Sequence, residues 1–487
     1  MLDTRRHLTR FFDKAYTMSL QVVFTSFTIS FLVAFIVAFI PEYGIDKNMT
    51  YTLFILLFAA GLWVTEAIPA FAVSLLVIAL EMVLLGFNDF DFASGSKEWQ
   101  VYLQPWSSPL IFLFLAGFIM AAAASKTKLD VWMAKKVLFF VGGRPHNIVT
   151  GLIGITYILS MFVSNTATAA MMMTILLPLL GHIKESNPFQ KAVLLSVVIG
   201  ANLGGMATII GTPPNAIAVG ILGDSAPSFI GWIFLALPPS LIVVLILRFV
   251  ILKIYKSTEP FIDLKSIKEV EHFDDSTKKF SKIPTVPSWK KNVTVIIFSL
   301  TILLWLTGPL HHIPTTVVSL LPIIGFTLFG ILDADDICKI RWDVIILIIG
   351  GLSLGLAVSK TGLDMWLANL ISTDGMSILW IMFIFSYLVV VISNFMSNTA
   401  ATNIMLPIII AIATTISAEA SYLAVVAVAL SASFAMSLAV STPPNAIIFS
   451  SKKVQSKDFL ILGIITALLG PSIVIGWLFL VDKIFGF

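Results

Sequence analysis

The sequence predicts an all-α polytopic membrane protein built from two internal repeats. The chain has 487 residues, of which 58% are hydrophobic and 12% are charged, and its mean hydropathy is +0.99. Soluble proteins carry about 25% charged residues, so this composition excludes a soluble globular protein. Short polar motifs that occur once in each half indicate the duplication. We expect about eleven transmembrane helices plus two re-entrant hairpins, arranged as two inverted-topology repeats.

The N-terminal segment precedes the repeats and is predicted to hold one extra crossing. Four basic residues come before an apolar run at about 19–41: Arg5, Arg6, Arg10 and Lys14. The run is too long for the apolar region of a signal peptide, so we expect a retained transmembrane helix. The positive-inside rule places the N-terminus in the cytoplasm. Residues 1–50 therefore form a cytoplasmic N-terminus and the first transmembrane helix.

Two repeats are predicted at 51–255 and 292–487, joined by a polar cytoplasmic linker at 256–291. Their landmarks follow the same order in both halves. The matched segments are Leu62-Trp63-Val64-Thr65 with Leu304-Trp305-Leu306-Thr307, Ser125-Lys126-Thr127 with Ser359-Lys360-Thr361, Ser164-Asn165-Thr166 with Ser397-Asn398-Thr399, and Thr212-Pro213-Pro214-Asn215-Ala216 with Thr442-Pro443-Pro444-Asn445-Ala446. Polar triplets and Pro-Pro pairs are costly in a membrane core unless they line a cavity. They predict one central polar site shared by both repeats.

Basic residues indicate that the repeats are inverted. The segment that follows Ser125 contains five of them, Lys126, Lys128, Lys135, Lys136 and Arg144, whereas the equivalent segment after Ser359 contains only Lys360. Equivalent loops should therefore face opposite sides of the membrane. With eleven crossings, the C-terminus is predicted to be extracytoplasmic.

The Ser-Asn-Thr triplets are predicted to form the tips of re-entrant hairpins. Each lies between apolar arms of about 15 residues, or about 22 Å of helix, which is too short to cross a core of about 30 Å. The hairpins are expected at about 146–182 and about 376–415. The Pro-Pro motifs lie within longer segments, about 192–222 and about 422–450. Because proline lacks an amide donor and clashes with the preceding turn, those helices must break there.

The hairpin tips are suited to bind an anion, and the helix breaks are suited to bind cations. Each tip should begin a helix whose free amides and positive dipole end attract an anion. Two facing tips suit a substrate with two carboxylates. The breaks release carbonyl oxygens, which together with Ser and Asn oxygens suit hard cations. The predicted substrate-binding residues are Ser164, Asn165, Thr166, Thr212, Pro214, Ser397, Asn398, Thr399, Thr442 and Pro444.

At these motifs the chain resembles the divalent anion/sodium symporter family, the dicarboxylate and citrate transporters sometimes called INDY proteins. The resemblance extends from about residue 51 to the end. It implies carboxylate binding by the tip Asn and Thr residues, an elevator-type mechanism, and a homodimer in the cell membrane. It also implies sodium sites beside the tips, formed by Ser160, Ser164, Asn165, Gly211, Ser393, Asn398 and Ser441.

The coupling and the substrate remain open at the level of sequence. Sodium-coupled relatives often carry Thr-Glu where this chain has Ser393-Asn394. A missing carboxylate should weaken cation binding there, which slightly favours dicarboxylate exchange over sodium symport. Citrate or sulfate is the alternative substrate, and an anion channel is the alternative of another class. No enzyme activity, no cofactor apart from sodium, and no nucleic-acid partner is expected.

Three further features were interpreted structurally. Gly351-Leu352-Ser353-Leu354-Gly355 matches the pattern of a nucleophile elbow, but it lies in an apolar crossing, so helix packing is favoured over hydrolase chemistry. Glu66 and Glu81 are interpreted as interfacial residues in preference to a proton relay. The single cysteine, Cys338, excludes an intrachain disulfide and a cysteine metal cluster.

Overall fold

The computed structural model describes residues 20–41, 43–87, 92, 97–181, 183–263, 272–274, 279–281, 286–370 and 377–485. Over these ranges the fold is helical, apart from two three-residue strands, β1 (His272–Asp274) and β2 (Lys279–Ser281), which pair antiparallel within the linker. The prediction of an all-α fold is confirmed. The N-terminal basic residues and linker residues 264–271, 275–278 and 282–285 lie outside the described residues.

The helices follow one another in the order expected from the repeats. They are α1 (Leu20–Phe39), α2 (Lys47–Thr65), α3 (Ala70–Leu84), α4 (Pro109–Lys126), α5 (Leu129–Val141), α6 (Pro145–Ser160), α7 (Asn165–Gly181), α8 (Phe189–Gly205), α9 (Pro213–Leu222), α10 (Phe229–Ile254), α11 (Ser288–Leu306), α12 (Gly308–His311), α13 (Thr315–Leu328), α14 (Ala334–Cys338), α15 (Trp342–Lys360), α16 (Leu363–Leu370), α17 (Ile378–Ser393), α18 (Asn398–Thr414), α19 (Ala418–Ala432), α20 (Pro443–Ser450) and α21 (Ser456–Phe485). Two 3₁₀ segments, Glu98–Ser107 and Gly223–Ser225, complete the regular structure.

Seven helical segments among the described residues are long and apolar enough to cross a membrane. They are Gln21–Phe39, Lys47–Thr65, Glu98–Lys126, Phe229–Ile254, Ser288–Leu306, Trp342–Lys360 and Ser456–Phe485. Two shorter apolar helices, α3 and α13, and two broken pairs, α8 with α9 and α19 with α20, account for the other crossings that the sequence predicts. The number eleven and the re-entrant path of the hairpins stay predictions.

The chain divides into two compact units that do not coincide with the sequence repeats. The first unit comprises Met1–Ser107 and Ile346–Thr373, and the second comprises Ser108–Ile345 and Asp374–Phe487. Each unit therefore contains parts of both repeats. All four copies of the polar motifs belong to the second unit.

Aromatic and small residues hold the helices of the first unit together. The ring of Phe27 on α1 meets that of Phe58 on α2 edge to face at 5.2 Å, and Gly61 lets α2 approach Ser30 closely. Ser74 on α3 donates to the carbonyl of Leu347 on α15 at 3.4 Å. The outward side of α1 remains apolar and exposed, as expected for a helix that faces lipid or another membrane helix.

One residue of this unit contradicts the sequence interpretation. Glu81 does not lie at an interface: it is fully buried, and its carboxylate contacts the hydroxyl of Ser353 on α15. The sequence places Glu81 near the end of an apolar run but does not reveal that α15 and the 3₁₀ segment Glu98–Ser107 cover it. Glu66, by contrast, is exposed.

The second unit is organised around two helices, α8 and α19, that are buried on nearly all sides. In α8 nearly every residue is buried, and Gly200 and Gly204 allow it to pack against the backbone of α6. Helix α19 is the equivalent buried helix of the second repeat and packs against α17 and α18. The repeats also interlock, because α9 packs against α18 and α19, while α20 packs against α7 and α8.

Equivalent positions of the two sequence repeats make similar local contacts. The indole of Trp63 donates to the carbonyl of Ala70 at 3.3 Å, and that of Trp305 donates to the carbonyl of Thr315 at 3.2 Å. Both tryptophans thus fasten the turn that leads into the next helix. Matched residues therefore have matched structural roles, although the orientation of each repeat in a membrane is a separate question.

Candidate substrate and cation site

The first Ser-Asn-Thr triplet forms a helix start. Helix α6 ends at Ser160 and α7 begins at Asn165, and the hydroxyl of Ser164 accepts a hydrogen bond from the amide of Ala167 at 3.3 Å. Ser164, Asn165 and Thr166 are all half-buried. The other amides of the first turn have no partner within the helix, so this tip presents donors and a positive dipole end.

The second triplet repeats this arrangement. Helix α17 ends at Ser393 and α18 begins at Asn398, and Ser397 accepts from the amide of Ala400 at 3.2 Å. Ser397 is exposed, Asn398 is half-buried and Thr399 is buried. The predicted serine caps are therefore present at both tips, and each starts a helix of 17 residues.

The Pro-Pro motifs also begin helices, as the predicted breaks require. Pro213 and Pro443 are the first residues of α9 and α20, where a proline ring fits because no amide donor is needed. Thr212, Pro214, Thr442 and Pro444 are all buried, so they shape the loops behind the helix starts more than they form an open surface.

The asparagine of each Pro-Pro-Asn motif fastens the break that precedes it. The amide nitrogen of Asn215 lies 3.1 Å from the carbonyl of Met206 and 2.7 Å from that of Thr208. Asn445 reaches Met436 and Leu438, nine and seven residues earlier, at 3.0 and 2.8 Å. These roles were not assigned from the sequence, although the recurrence of Asn after both Pro-Pro pairs was the available signal.

Oxygen atoms converge beside the first tip. The side-chain amide oxygen of Asn165 lies 2.7 Å from the hydroxyl of Ser160, and the same atom is 3.2 Å from the carbonyl oxygen of Ala201 and 3.3 Å from that of Gly211. The Ser160 hydroxyl donates to the Ala201 carbonyl at 2.7 Å. This group, the Asn165 oxygen cluster, contains three of the residues that the sequence resemblance implies for sodium, together with Ala201, which it missed.

Two arrangements are compatible with the Asn165 oxygen cluster. A cation can lie among the oxygens, because ligands at about 2.4 Å from an octahedral ion are about 3.4 Å from one another. Alternatively, the amide can turn so that its nitrogen donates to the Ala201 and Gly211 carbonyls. The two arrangements predict opposite effects of a carboxylate at position 165.

The cation residues implied for the second copy lie in a different environment. Asn394 accepts from the amide of Ser437 at 2.8 Å and from the hydroxyl of Ser441 at 3.3 Å, so it fastens the second break. The hydroxyl of Ser393 and the amide oxygen of Asn398 are buried and have no hydrogen-bond partner within the described part of the chain. Such oxygens are costly to bury alone and are available as ligands.

One contact joins the two repeats at this site. The amide of Asn202, on α8, donates to the amide oxygen of Asn445 at 3.2 Å, and both residues are buried. Its neighbour Ala201 belongs to the Asn165 oxygen cluster. The first tip, the first break and the second Pro-Pro motif therefore meet in one region. Asn202 was not predicted from the sequence.

Comparison with known proteins decides the family. The sequence pattern of the family described as "Citrate transporter" matches residues 60–430. The chain belongs to the citrate transporter family. Its resemblance to divalent anion/sodium symporters is thereby confirmed, and the protein is a transporter of this family and not an enzyme.

The relatives of this citrate transporter family member are named for different substrates. It is 29% identical over 470 residues to the sodium-dependent dicarboxylate transporter SdcS of Staphylococcus saprophyticus, covering 89% of this chain and 86% of the relative. It is 30% identical to SdcS of Staphylococcus aureus, covering 87% and 84%. It is also 29% identical to the inorganic phosphate transporter PHO87 of Saccharomyces cerevisiae, covering 83% of this chain but 43% of the relative.

Solved structures support the fold of this family member. The YdaH transporter of Alcanivorax borkumensis aligns with a TM-score of 0.56 at 13% identity, covering 91% of this chain and 99% of that one. MtrF of Neisseria gonorrhoeae aligns with a TM-score of 0.54 at 11% identity, covering 84% and 94%. At these identities the similarity concerns the fold alone.

Proposed function

We propose that this protein is a secondary transporter of small dicarboxylates, such as succinate, malate or fumarate, driven by sodium symport. In this proposal the Asn165 amide oxygen faces a cation, and with that orientation the Asn165 oxygen cluster is the feature that carries it. Relatives named as sodium-dependent dicarboxylate transporters align over most of both chains. The protein would act as a homodimer in the cell membrane, with a cytoplasmic N-terminus and an extracytoplasmic C-terminus.

The two capped tips supply the anion chemistry. Each carboxylate of the substrate would accept from first-turn amides and from the Asn and Thr side chains at one tip, Asn165 with Thr166 or Asn398 with Thr399. A hydrogen bond to a charged group contributes about 1.5–3 kcal/mol. None of the four motifs contains Lys or Arg. Bound cations are therefore well suited to offset the substrate's charge.

The oxygen atoms available to bind cations favour sodium symport over exchange. The first copy offers the Asn165 oxygen cluster, and the second offers the unpartnered oxygens of Ser393 and Asn398. The absence of an acidic residue at Asn394 weakens the field there, but neutral oxygens can still coordinate a monovalent hard cation. Exchange, which the sequence slightly favours, is the competing outcome.

An elevator-type motion fits the distribution of the site residues. All tip and Pro-Pro residues belong to the unit that comprises Ser108–Ile345 and Asp374–Phe487. A substrate held by them would travel with one body, whereas a site divided between two bodies would come apart during such a motion.

The sodium assignment is tested by thermal unfolding of the purified protein in sodium and in potassium. We expect sodium to raise the unfolding temperature of the wild type, since a ligand at ten times its Kd stabilises by about 1.4 kcal/mol. Ser160→Ala should strongly reduce this shift. Ser196→Ala is the matched control, because the Ser196 hydroxyl is buried on α8 but, among the described residues, bonds only to Ala192 of its own helix. An undiminished sodium shift in Ser160→Ala would overturn the site.

Asn165→Asp distinguishes the two arrangements of the cluster. A carboxylate would attract a cation, so Asn165→Asp should keep or enlarge the sodium-induced stabilisation. If instead the Asn165 amide nitrogen donates to the two carbonyls, a carboxylate would repel them. The variant would then lose stability with or without sodium, which would contradict the proposal.

A further inference from the structure

A buried carboxyl group lies in the first unit, outside the Ser-Asn-Thr and Thr-Pro-Pro-Asn-Ala motifs. Glu81 on α3 is 0% exposed, and one carboxyl oxygen contacts the hydroxyl of Ser353 on α15. Its other oxygen is buried and has no hydrogen-bond partner among the described residues. Glu81 belongs to the first unit, whereas the residues of the proposed transport site all belong to the second.

If Glu81 is ionised, the Ser353 hydroxyl cannot donate a hydrogen bond to both of the oxygen atoms beside it. The Ser353 hydroxyl lies within hydrogen-bond distance of Glu81 and is also 3.0 Å from the carbonyl oxygen of Tyr102. A serine hydroxyl has a single hydrogen to donate, while a carbonyl and a carboxylate only accept. Both contacts are satisfied when Glu81 carries a proton, donates it to Ser353, and Ser353 donates to Tyr102.

The surrounding charges do not offer Glu81 a partner. The titratable residues on the elements that surround Glu81 are Glu98 and Tyr102 on the 3₁₀ segment, Asp343 and Lys360 on α15, and Lys47 and Tyr51 on α2 with Glu66 at its end. Within the described part of the chain, no ion pair includes Glu81. The Lys360 ammonium lies 5.8 Å from the centre of the Tyr102 ring. An ionised carboxylate without a partner is too costly to bury in this setting.

We propose that Glu81 is a proton-binding site that fastens three elements of the first unit. The bound proton completes the chain from Glu81 through Ser353 to Tyr102, joining α3, α15 and the 3₁₀ segment Glu98–Ser107. Close packing of Ser74 against Gly350 holds α3 and α15 together beside it. When the proton leaves, Glu81 and the Tyr102 carbonyl compete for one hydrogen, and the 3₁₀ segment loses its attachment.

Infrared spectroscopy of the full-length protein tests the proton directly. We expect the wild type at neutral pH to show the C=O band of a protonated carboxylic acid. Glu81→Gln should remove the band, while Glu66→Gln, the same change at an exposed glutamate, should keep it. If the wild type and Glu81→Gln show the same carboxylic acid band, Glu81 is ionised and the proposal is wrong.

Ser353→Ala keeps the proposal testable if Glu81→Gln does not fold. Loss of its acceptor should shift the Glu81 band to higher frequency without removing it. An unshifted band would contradict the hydrogen-bond chain.

The pH dependence of transport tests the functional consequence. Above neutral pH, where small dicarboxylates are already fully ionised, wild-type uptake should decline as Glu81 loses its proton. Glu81→Gln, which cannot lose one, should keep its rate. An equal decline in both proteins would overturn a role for this proton in transport.

Discussion

At the residue scale, the side chains divide into those proposed to bind ligands and those that hold the loops. The recurring Thr-Pro-Pro-Asn-Ala pentapeptide predicts a helix break but not the direction of its asparagine. Asn215 and Asn445 turn away from solvent and are fully buried against carbonyl oxygens of their own breaks. Sequence spacing could not predict this, since the carbonyls they reach become free only after the helix has broken.

Asn215→Ala should destabilise the protein by about 1–3 kcal/mol. The buried Gly205 carbonyl loses its donor at 3.3 Å, while the Met206 and Thr208 carbonyls keep the Trp232 indole and the Gly211 amide. Asn147→Ala is the control and should cost less stability. The half-buried Asn147 side-chain amide donates to a single carbonyl, that of Val141, at 2.9 Å. Thermal unfolding in detergent measures both. A loss for Asn215→Ala no larger than that for Asn147→Ala would show that the amide does not hold the break.

At the scale of elements, the helix ends were predictable and the junctions between helices were not. The bounds of the helical arms predicted at about 146–182 and 376–415 agree with those of α6–α7 and α17–α18, because apolar length and serine caps are visible in the sequence. The re-entrant path of these arms stays a prediction. Two junctions adopt left-handed backbone at equivalent positions, Lys128 with φ 57° and Gly362 with φ 74°. A lysine in the sequence does not predict left-handed backbone, so the conformation of Lys128 could not be foreseen.

Gly362→Ala should lower stability by about 1 kcal/mol, because a left-handed conformation is costly for a residue with a Cβ atom. Gly154→Ala is the matched control: Gly154 lies within α6 with open space around it and should tolerate alanine or gain stability. Both are measured as shifts in the unfolding temperature. A neutral Gly362→Ala would contradict the strain argument.

At the scale of the whole molecule, composition and repeats were sufficient to predict a membrane transporter of two related halves. They were insufficient for the buried Glu81 and for Asn202, because both acquire their partners from helices distant in the chain. The division into two compact units was not predicted either, since it crosses both repeats. Opposite orientation of the repeats remains the prediction that most needs a direct test.

Single cysteines at equivalent hairpin starts test that orientation. His146 and Ser377 are both exposed at the beginning of the first arm of their hairpins. In a background with the exposed Cys338 replaced, His146→Cys should react with an impermeant reagent from the cytoplasm, and Ser377→Cys from outside. Labelling of both residues from one side would exclude inverted repeats.

Sodium-coupled dicarboxylate transport is tested most directly by uptake of labelled succinate into proteoliposomes that contain no dicarboxylate. Under an inward sodium gradient we expect accumulation above the equilibrium level, with little uptake when potassium replaces sodium. Unlabelled malate or fumarate should compete better than citrate, sulfate or phosphate. Uptake that requires internal dicarboxylate and is indifferent to sodium would contradict the account and establish exchange.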